Sequence, residues 1–310
     1  MSRPTSVSYL QVQCPFPPPR DLGQEGVLEC VANVSEGRRQ QVVEQLARSC
    51  GPSLADVHSD PFHHRSVFTL VGPGRQVEEG ARSLARAALA SVDLNGHTGA
   101  HPRTGALDVV PFVALEGWPL ADAGPLGRAR ACRARDSFAA WAARELGLPV
   151  FVYGPERSLP EVRRSAWQGL RPTYGPTGPH PSGGAVSAGC RPLLVAYNLW
   201  LEEADLDLAR RVSAALRGPG VRALGLAVGG GVQVSLNLVS PLEVGPAEAW
   251  DRVSALAPVA RAELVGLLPF AVLERVPEQR WEQLDLSAER TVEAALNGFG
   301  KAARHVPGRA

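Results

Sequence analysis

The run HTGAHPRTGALD, residues 97–108, brings together two histidines, an arginine and an aspartate on a short backbone punctuated by Gly99, Pro102 and Gly105. On a helix, His97 and His101 would share a face as a zinc-binding pair. The two glycines and the proline rule a helix out, so the run reads as a shaped loop. Its residue types suit proton transfer beside an anion. Histidine ordinarily titrates near ~6.5, which fits a proton shuttle at neutral pH. Arg103 could orient a carboxylate through two parallel hydrogen bonds. In the competing reading the glycines only shape a turn and the histidines are solvated. Residue types alone leave both readings open.

Other polar residues carry weaker signals. His63 and His64 stand just before Arg65 at the start of a strand-like run and read as exposed turn residues. His58, His63 and His97 fit no metal-ligand spacing, and no metal is expected. The segment GPTGPHPSGG (175–184) could cradle a ligand with backbone amides, but its composition reads first as a linker. Asn33 and Asn237 fall in strand-like runs, where asparagine is disfavoured; such departures from propensity tend to mark special sites.

The elements that must position these groups follow a repeated rhythm. VLECVANV (27–34) reads as a strand, and SEGRRQQVVEQLARSC as a helix with Ser35 for its N-cap. SLADVHS (53–59) and RSVFTLVG (65–72) read as strands, and VEEGARSLARAALASV (77–92) as an amphipathic helix. ALDVVPFVAL (106–115) is a strand, residues 125–147 a long helix and LPVFVYG (148–154) a buried strand. PLLVAYNLWL (192–201) begins a second round, with a helix after it closed by Gly218. VRALGLAV (221–228) and VQVSLNLV (232–239) follow across a glycine turn suited to a hairpin. A helix over 246–261, interrupted by Pro258, precedes a final strand in ELVGLLPFAVL. Each half therefore runs β-α-β-β-α-β, the split βαβ pattern of ferredoxin-like domains. The expected class is α+β: two tandem ferredoxin-like βαββαβ subdomains bordering a ligand crevice. Their expected bounds are 27–174 and 186–310, joined by a Gly/Pro-rich connector at 175–185.

Composition narrows the function classes. A chain of 310 residues with 45% hydrophobic and 20% charged residues has enough sequence for two globular units. Its net charge of +1 gives no reason to expect a nucleic-acid partner. Cys14, Cys30, Cys50, Cys132 and Cys190 are scattered and form no CxxC pair. That pattern argues against a disulfide scaffold and for a reducing compartment, the cytoplasm. No apolar run approaches the ~20 residues that span a bilayer, so no membrane partner is expected. Residues 1–26, broken by Pro15, Pro17, Pro18 and Pro19, hold too short an apolar stretch for a signal peptide and read as a flexible leader.

Taken in order, these segments resemble the glutamate formimidoyltransferases, or formiminotransferases. ECVANVSEGRR (29–39) is similar to that family's E-C-V-P-N-x-S-E-G-R, and HHRSVFTLVG (63–72) to its N-R-T-V-x-T-x-V-G. GAHPRTGALDVVPFVAL (99–115) resembles its G-E-H-P-R-x-G-A-x-D-V-x-P-F-x-P-L. LPVFVYG, GCRPLLVAYNLWL (189–201), VQVSLNL and AELVGLLP (262–269) continue the likeness along the chain.

The resemblance implies transfer of a formimino group from N-formimino-L-glutamate to N5 of tetrahydrofolate, within histidine degradation and one-carbon metabolism. The products would be L-glutamate and 5-formimidoyltetrahydrofolate. It makes His101 the catalytic acid/base, passing a proton from N5 to the departing amine, an effect worth ~10²–10⁴ in rate. It assigns folate to Gly175, Pro176, Thr177, Gly178, Pro179, His180, Pro181, Ser182, Gly183 and Gly184. Arg65 and Arg103 gain anionic partners, with Asn33 and Asn237 as further substrate contacts. Tetrahydrofolate enters as co-substrate, with no metal, and a homodimer is expected. The cyclodeaminase domain fused to some relatives is expected to be absent. Three departures stand out: Ala100 replaces the acidic residue before His101, His64 replaces asparagine, and residues 155–174 form a shortened region. They keep an alternative in view, a folate-binding homologue whose transfer activity is lost or altered.

Overall fold

Strand β1 (Val27–Val34) shows how the molecule is layered. Leu28, Cys30, Ala32 and Val34 enter the main core, whereas Val31 and Asn33 point to a crevice on the opposite face. The same two-residue period recurs in β3 (Arg65–Pro73), where Phe68 and Leu70 are core residues and Arg65 and Val67 line the crevice. The computed structural model describes residues 13–19 and 26–298.

The first sheet has seven strands, in the order β2 (Leu54–Asp60), β3, β1, β4 (Leu107–Glu116), β7 (Val186–Cys190) and β6 (Val150–Tyr153), with short β5 (Ala121–Asp122) paired to β4. The first four are antiparallel; β7 lies parallel between β4 and β6. Helices α1 (Gln40–Ser49), α2 (Gly74–Ser91) and α3 (Gly124–Leu146) cover one face. Their buried stripes, such as Val77, Ala81, Leu84, Ala85 and Ala88 on α2, close the core. A short helix, α4 (Leu159–Ser165), is set by a capping box between Ser158 and Glu161.

The second sheet orders β11 (Val259–Val265), β8 (Val195–Leu201), β10 (Gly231–Leu238) and β9 (Val221–Val228), all antiparallel. Helices α5 (Leu206–Leu216) and α6 (Pro246–Ser254) pack on its core face. After β11 come α7 (Phe270–Leu273) and α8 (Val292–Leu296). The protein is thus a mixed α+β fold with two sheets. Among the described residues no helix is long and apolar enough to cross a membrane.

Several expectations are corrected. The chain returns to the first sheet at β7 and leaves it only after Cys190, so 175–185 does not carry the crossover between sheets. VSAGC is buried throughout, and its small residues give no strand-like alternation to read. The helix expected through residue 261 ends at Ser254, and the last strand begins at Val259, directly after Pro258. That proline has no N–H to continue a helix. Ser35 caps no helix: α1 starts at Gln40, and Ser35 Oγ donates instead to Gly105 O at 2.8 Å.

Two more concern the leader and the cysteines. Residues 1–12 and 20–25 of the expected leader lie outside the described residues, but 13–19 pack on the body. Trp118 Nε1 donates to Phe16 O at 2.9 Å, and Asn297 Nδ2 to Pro17 O at 3.0 Å. Cys132 on α3 and Cys190 at the end of β7 form a disulfide, with Cα atoms 5.0 Å apart. Their separation of 58 residues forms no readable motif. The sheet position of β7 beneath α3 is what brings them together.

Candidate functional site

The two sheets face each other across a crevice of about 240 Å³. It lies on the side of the first sheet opposite α1, α2 and α3, with α4 contributing Leu159 and Arg163. The first sheet contributes Val31, Asn33, Arg65, Val67, Val109 and Pro111; the second contributes Ala196, Asn198, Ser235 and Asn237. An adjoining space of about 340 Å³ shares Tyr153, Leu159, Arg191, Leu194 and Arg222 with it. The Tyr153 ring stands at this junction because residue 189 is glycine: a Cβ there would run into the phenol ring.

His101 reaches the crevice from a loop clasped on several sides. Ala100 N donates to Phe62 O at 3.2 Å, and Ala106 N to Gly183 O at 2.9 Å. Arg103 donates to the carbonyls of His63 (3.0 Å), His64 (3.2 Å) and His101 (2.9 Å). His64 stacks on His97 with centroids 4.0 Å apart. His97 Nε2 donates to Ser35 O at 2.9 Å. Gly99 is required for this clasp, since a Cβ would lie 2.5 Å from His63 O.

Charge at the centre is organised by Asp108, which is fully buried. Its Oδ2 accepts from Arg65 Nη1 (2.6 Å) and Arg163 Nη2 (2.9 Å). Its Oδ1 accepts from the N–H (2.7 Å) and hydroxyl (2.9 Å) of Thr104. Burial alone would raise the Asp108 carboxyl; the two guanidinium groups and the Thr104 N–H instead hold it down to about 2.

Those guanidinium groups act on His101 in the opposite sense. Burial first, then the positive charges of Arg65 and Arg163, push the His101 ring down to about 3. Its Nδ1 lies 2.7 Å from Pro102 O. A carbonyl oxygen only accepts, so Nδ1 carries the hydrogen. The neutral ring therefore keeps its lone pair on Nε2, the form a general base requires.

The second sheet supports the first across the crevice. Glu263 Oε1 pairs with His58 Nε2 at 3.2 Å, while Oε2 accepts from Trp200 Nε1 (2.9 Å) and Asn198 Nδ2 (3.3 Å). Burial would raise Glu263, but the bond and charge of His58 bring it to about 2. Gln233 Nε2 lies 2.9 Å from His63 Nε2. His63 is pushed below its ordinary range by burial, against the opposing pull of Asp60 and Glu263. Its ring stands edge-on to His101, with centroids 5.9 Å apart.

Of the residues singled out from sequence, His101, Arg65, Asn33 and Asn237 meet in the crevice. Arg65 is already engaged there, since Nε donates to Asn33 Oδ1 at 3.0 Å. Arg103 does not line the crevice; its guanidinium is used by backbone carbonyls and by the His97 ring, whose Nδ1 lies 3.0 Å from Nη1. Gly175–Gly184 does not line it either. That segment props the histidine loop through Gly183 O and through Ser182 O, which accepts from Leu94 N at 2.9 Å. His63, read as an exposed turn residue, is 9% exposed and lines the crevice. Sequence reasoning missed Asp60, Tyr153, Arg163, Arg191, Arg222 and Glu263. Glu263 left one signal, a carboxylate inside a strand, where acidic residues are disfavoured. Among the described residues no group of three histidine, cysteine or acidic side chains could hold a metal ion.

Residues 27–191 match the formiminotransferase domain, N-terminal subdomain. The chain is 32% identical over 283 residues to the glutamate formimidoyltransferase of Streptococcus pyogenes serotype M1, covering 81% of this chain and 92% of that protein. Identity to the Thermoplasma acidophilum glutamate formimidoyltransferase is 30% over 281 residues, or 80% of this chain and 89% of that one. The Sus scrofa formimidoyltransferase-cyclodeaminase is 34% identical over 284 residues, and the match covers 51% of its length.

Proposed function

The chain belongs to the formiminotransferase family, and on that premise we propose that it is a glutamate formimidoyltransferase. It moves the formimino group of N-formimino-L-glutamate to N5 of tetrahydrofolate, releasing L-glutamate and 5-formimidoyltetrahydrofolate. The observation that carries the reading is His101, a neutral imidazole whose Nδ1–H is fixed on Pro102 O and whose position lines the crevice between the sheets.

In this reading N5 attacks the formimino carbon, and His101 Nε2 removes the N5 proton. The proton then passes to the glutamate nitrogen as its bond to carbon breaks, so the amine leaves neutral. Burial, reinforced by the charges of Arg65 and Arg163, keeps His101 unprotonated between turnovers. Asp108 holds both arginines in place and balances part of their charge. Arg191 and Arg222, at the junction with the larger space, suit the carboxylates of both substrates.

Tetrahydrofolate occupies the crevice and the adjoining space past Tyr153. Gly175–Gly184 then contributes by holding the His101 loop rather than by touching the pterin. The proposal includes a cytoplasmic location and a homodimer. Strand β9, the free edge of the second sheet with Leu224 half exposed, offers a surface for the second copy.

The test incubates purified protein with N-formimino-L-glutamate and tetrahydrofolate and follows the folate by absorbance and mass. Formation of 5-formimidoyltetrahydrofolate with equimolar glutamate is the expected result. Reduced folate that binds but never acquires the one-carbon group would support the non-transferring homologue instead.

A further inference from the structure

Asp60 ends β2 and turns the chain toward His63 and His64. Its Oδ1 accepts the backbone N–H groups of Phe62 and His63, each at 2.7 Å. Its Oδ2 receives no hydrogen bond from any described residue. The nearest cationic candidate is His63 Nε2, 3.9 Å away, and that nitrogen is already taken up by Gln233. Burial moreover disfavours charge on the His63 ring. Asp60 is only 8% exposed, yet it lines the crevice. Oδ2 itself is not sealed from solvent: it opens on the crevice, where a cationic group can reach it. Glu263 behind His58 provides the contrast, with both oxygens engaged.

The rest of the crevice has complementary charge. Asp60 lies on β2, at one edge of the first sheet; Arg191 follows β7 on the far side, and Arg222 lies on β9, the free edge of the second. Arg222 is exposed and donates to no described residue. Arg65, the cross-strand neighbour of Asp60, and Arg163 are held by Asp108. The cavity therefore offers the Asp60 oxygen near one edge and the guanidinium groups of Arg191 and Arg222 toward the other, as a ligand with a cationic head and an anionic tail requires.

We infer that Asp60 Oδ2 receives an amidinium group of the one-carbon donor and so selects cationic amidines over neutral formyl compounds. This rests on the donor proposed above, because an N-substituted formamidine is a strong base and is cationic at neutral pH. The planar N–C–N head presents two N–H groups to a carboxylate, as a guanidinium does. With its charge held at Asp60, the formimino carbon is kept electrophilic while N5 approaches.

The experiment measures equilibrium binding without tetrahydrofolate, so that no transfer is needed. Calorimetry compares N-formimino-L-glutamate with N-formyl-L-glutamate, which replaces the charged nitrogen by oxygen. The native protein should favour the formimino compound by about tenfold or more, the scale of one hydrogen bond between charged groups. Asp60→Asn keeps an oxygen for the two backbone N–H groups; it should bring the ratio within about twofold and leave the formyl affinity unchanged. An Asp60→Asn protein that retains the native ratio would overturn the assignment.

A second measurement needs neither a variant nor the proposed donor. Acetamidinium, and not neutral acetamide, should shift the His63 and His101 ring resonances of the native protein. Absence of that difference would overturn the assignment. Its presence when N-formimino-L-glutamate fails to bind would support Asp60 and remove the proposed donor.

Discussion

Glu263 of the second sheet holds His58 of the first across a 3.2 Å gap, and both side chains are buried. The contact joins β11 to β2 and fixes one edge of the crevice. Glu263→Gln should therefore destabilise the protein by roughly 3–5 kcal/mol, the usual cost of removing one member of a buried pair. The Glu263 carboxyl is depressed in the folded state, so its contribution is present above its ordinary titration range. It is lost as pH falls from about 4.5 toward 2. Urea unfolding across that range should show a smaller acid-dependent loss in Glu263→Gln than in the native protein, the remainder coming from Asp108 and His101.

His101→Ala should lower turnover by about 10²–10⁴ and leave folate affinity within a few-fold. His97→Ala should instead loosen the loop, since His97 bonds Ser35 O and stacks on His64. Thermal unfolding and steady-state kinetics together separate the two. A His101→Ala enzyme of native activity would exclude the proton-transfer role.

The His101 ring also sets a stability profile. Its folded value, about 3, lies below the 6.5 of a free histidine, so the unfolded chain binds more protons between those limits. Stability from this group is complete above pH 6.5 and declines as pH falls toward 3. His101→Gln should flatten that part of the profile, as denaturation midpoints at pH 7, 5 and 4 would reveal.

Two arginines should behave oppositely. Arg222→Gln, at an exposed side chain that donates to no described residue, should raise KM for anionic substrates by about tenfold and leave Tm unchanged. Arg103→Ala should lower Tm and kcat with little change in KM, because its partners are the carbonyls that shape the loop. The first readout is a substrate titration, and the second adds calorimetry.

Deleting residues 1–19 should cost about 1–3 kcal/mol, from the two hydrogen bonds to Phe16 O and Pro17 O. Chemical denaturation of the shortened chain checks this. Unchanged stability would show that the segment is dispensable.

Legibility in the sequence followed local composition. β1 and β3 are short runs rich in valine and other residues that favour strands, so they could be read without knowing their neighbours. β7 could not, because VSAGC is buried throughout and its partners β4 and β6 come from distant sequence. His101 could be singled out from its loop; its depressed titration depends first on burial and then on Arg65 and Arg163, which Asp108 gathers from β3 and α4. Asp60 and Glu263 gain their significance only when the sheets face each other. Arg103 shows the converse: its type suggested an anion partner, whereas the curvature of the loop offered carbonyls first.

The three carbonyls held by Arg103 carry a consequence for catalytic economy. A loop of glycine and small residues has many conformations to lose, at about 1–2 kcal/mol per backbone residue ordered. Here that loss falls within folding, where the Arg103 guanidinium, the stacked imidazoles and the Gly183 carbonyl meet it together. Substrate arriving at His101 encounters a loop already in place, and its binding energy is left for alignment of the reacting atoms.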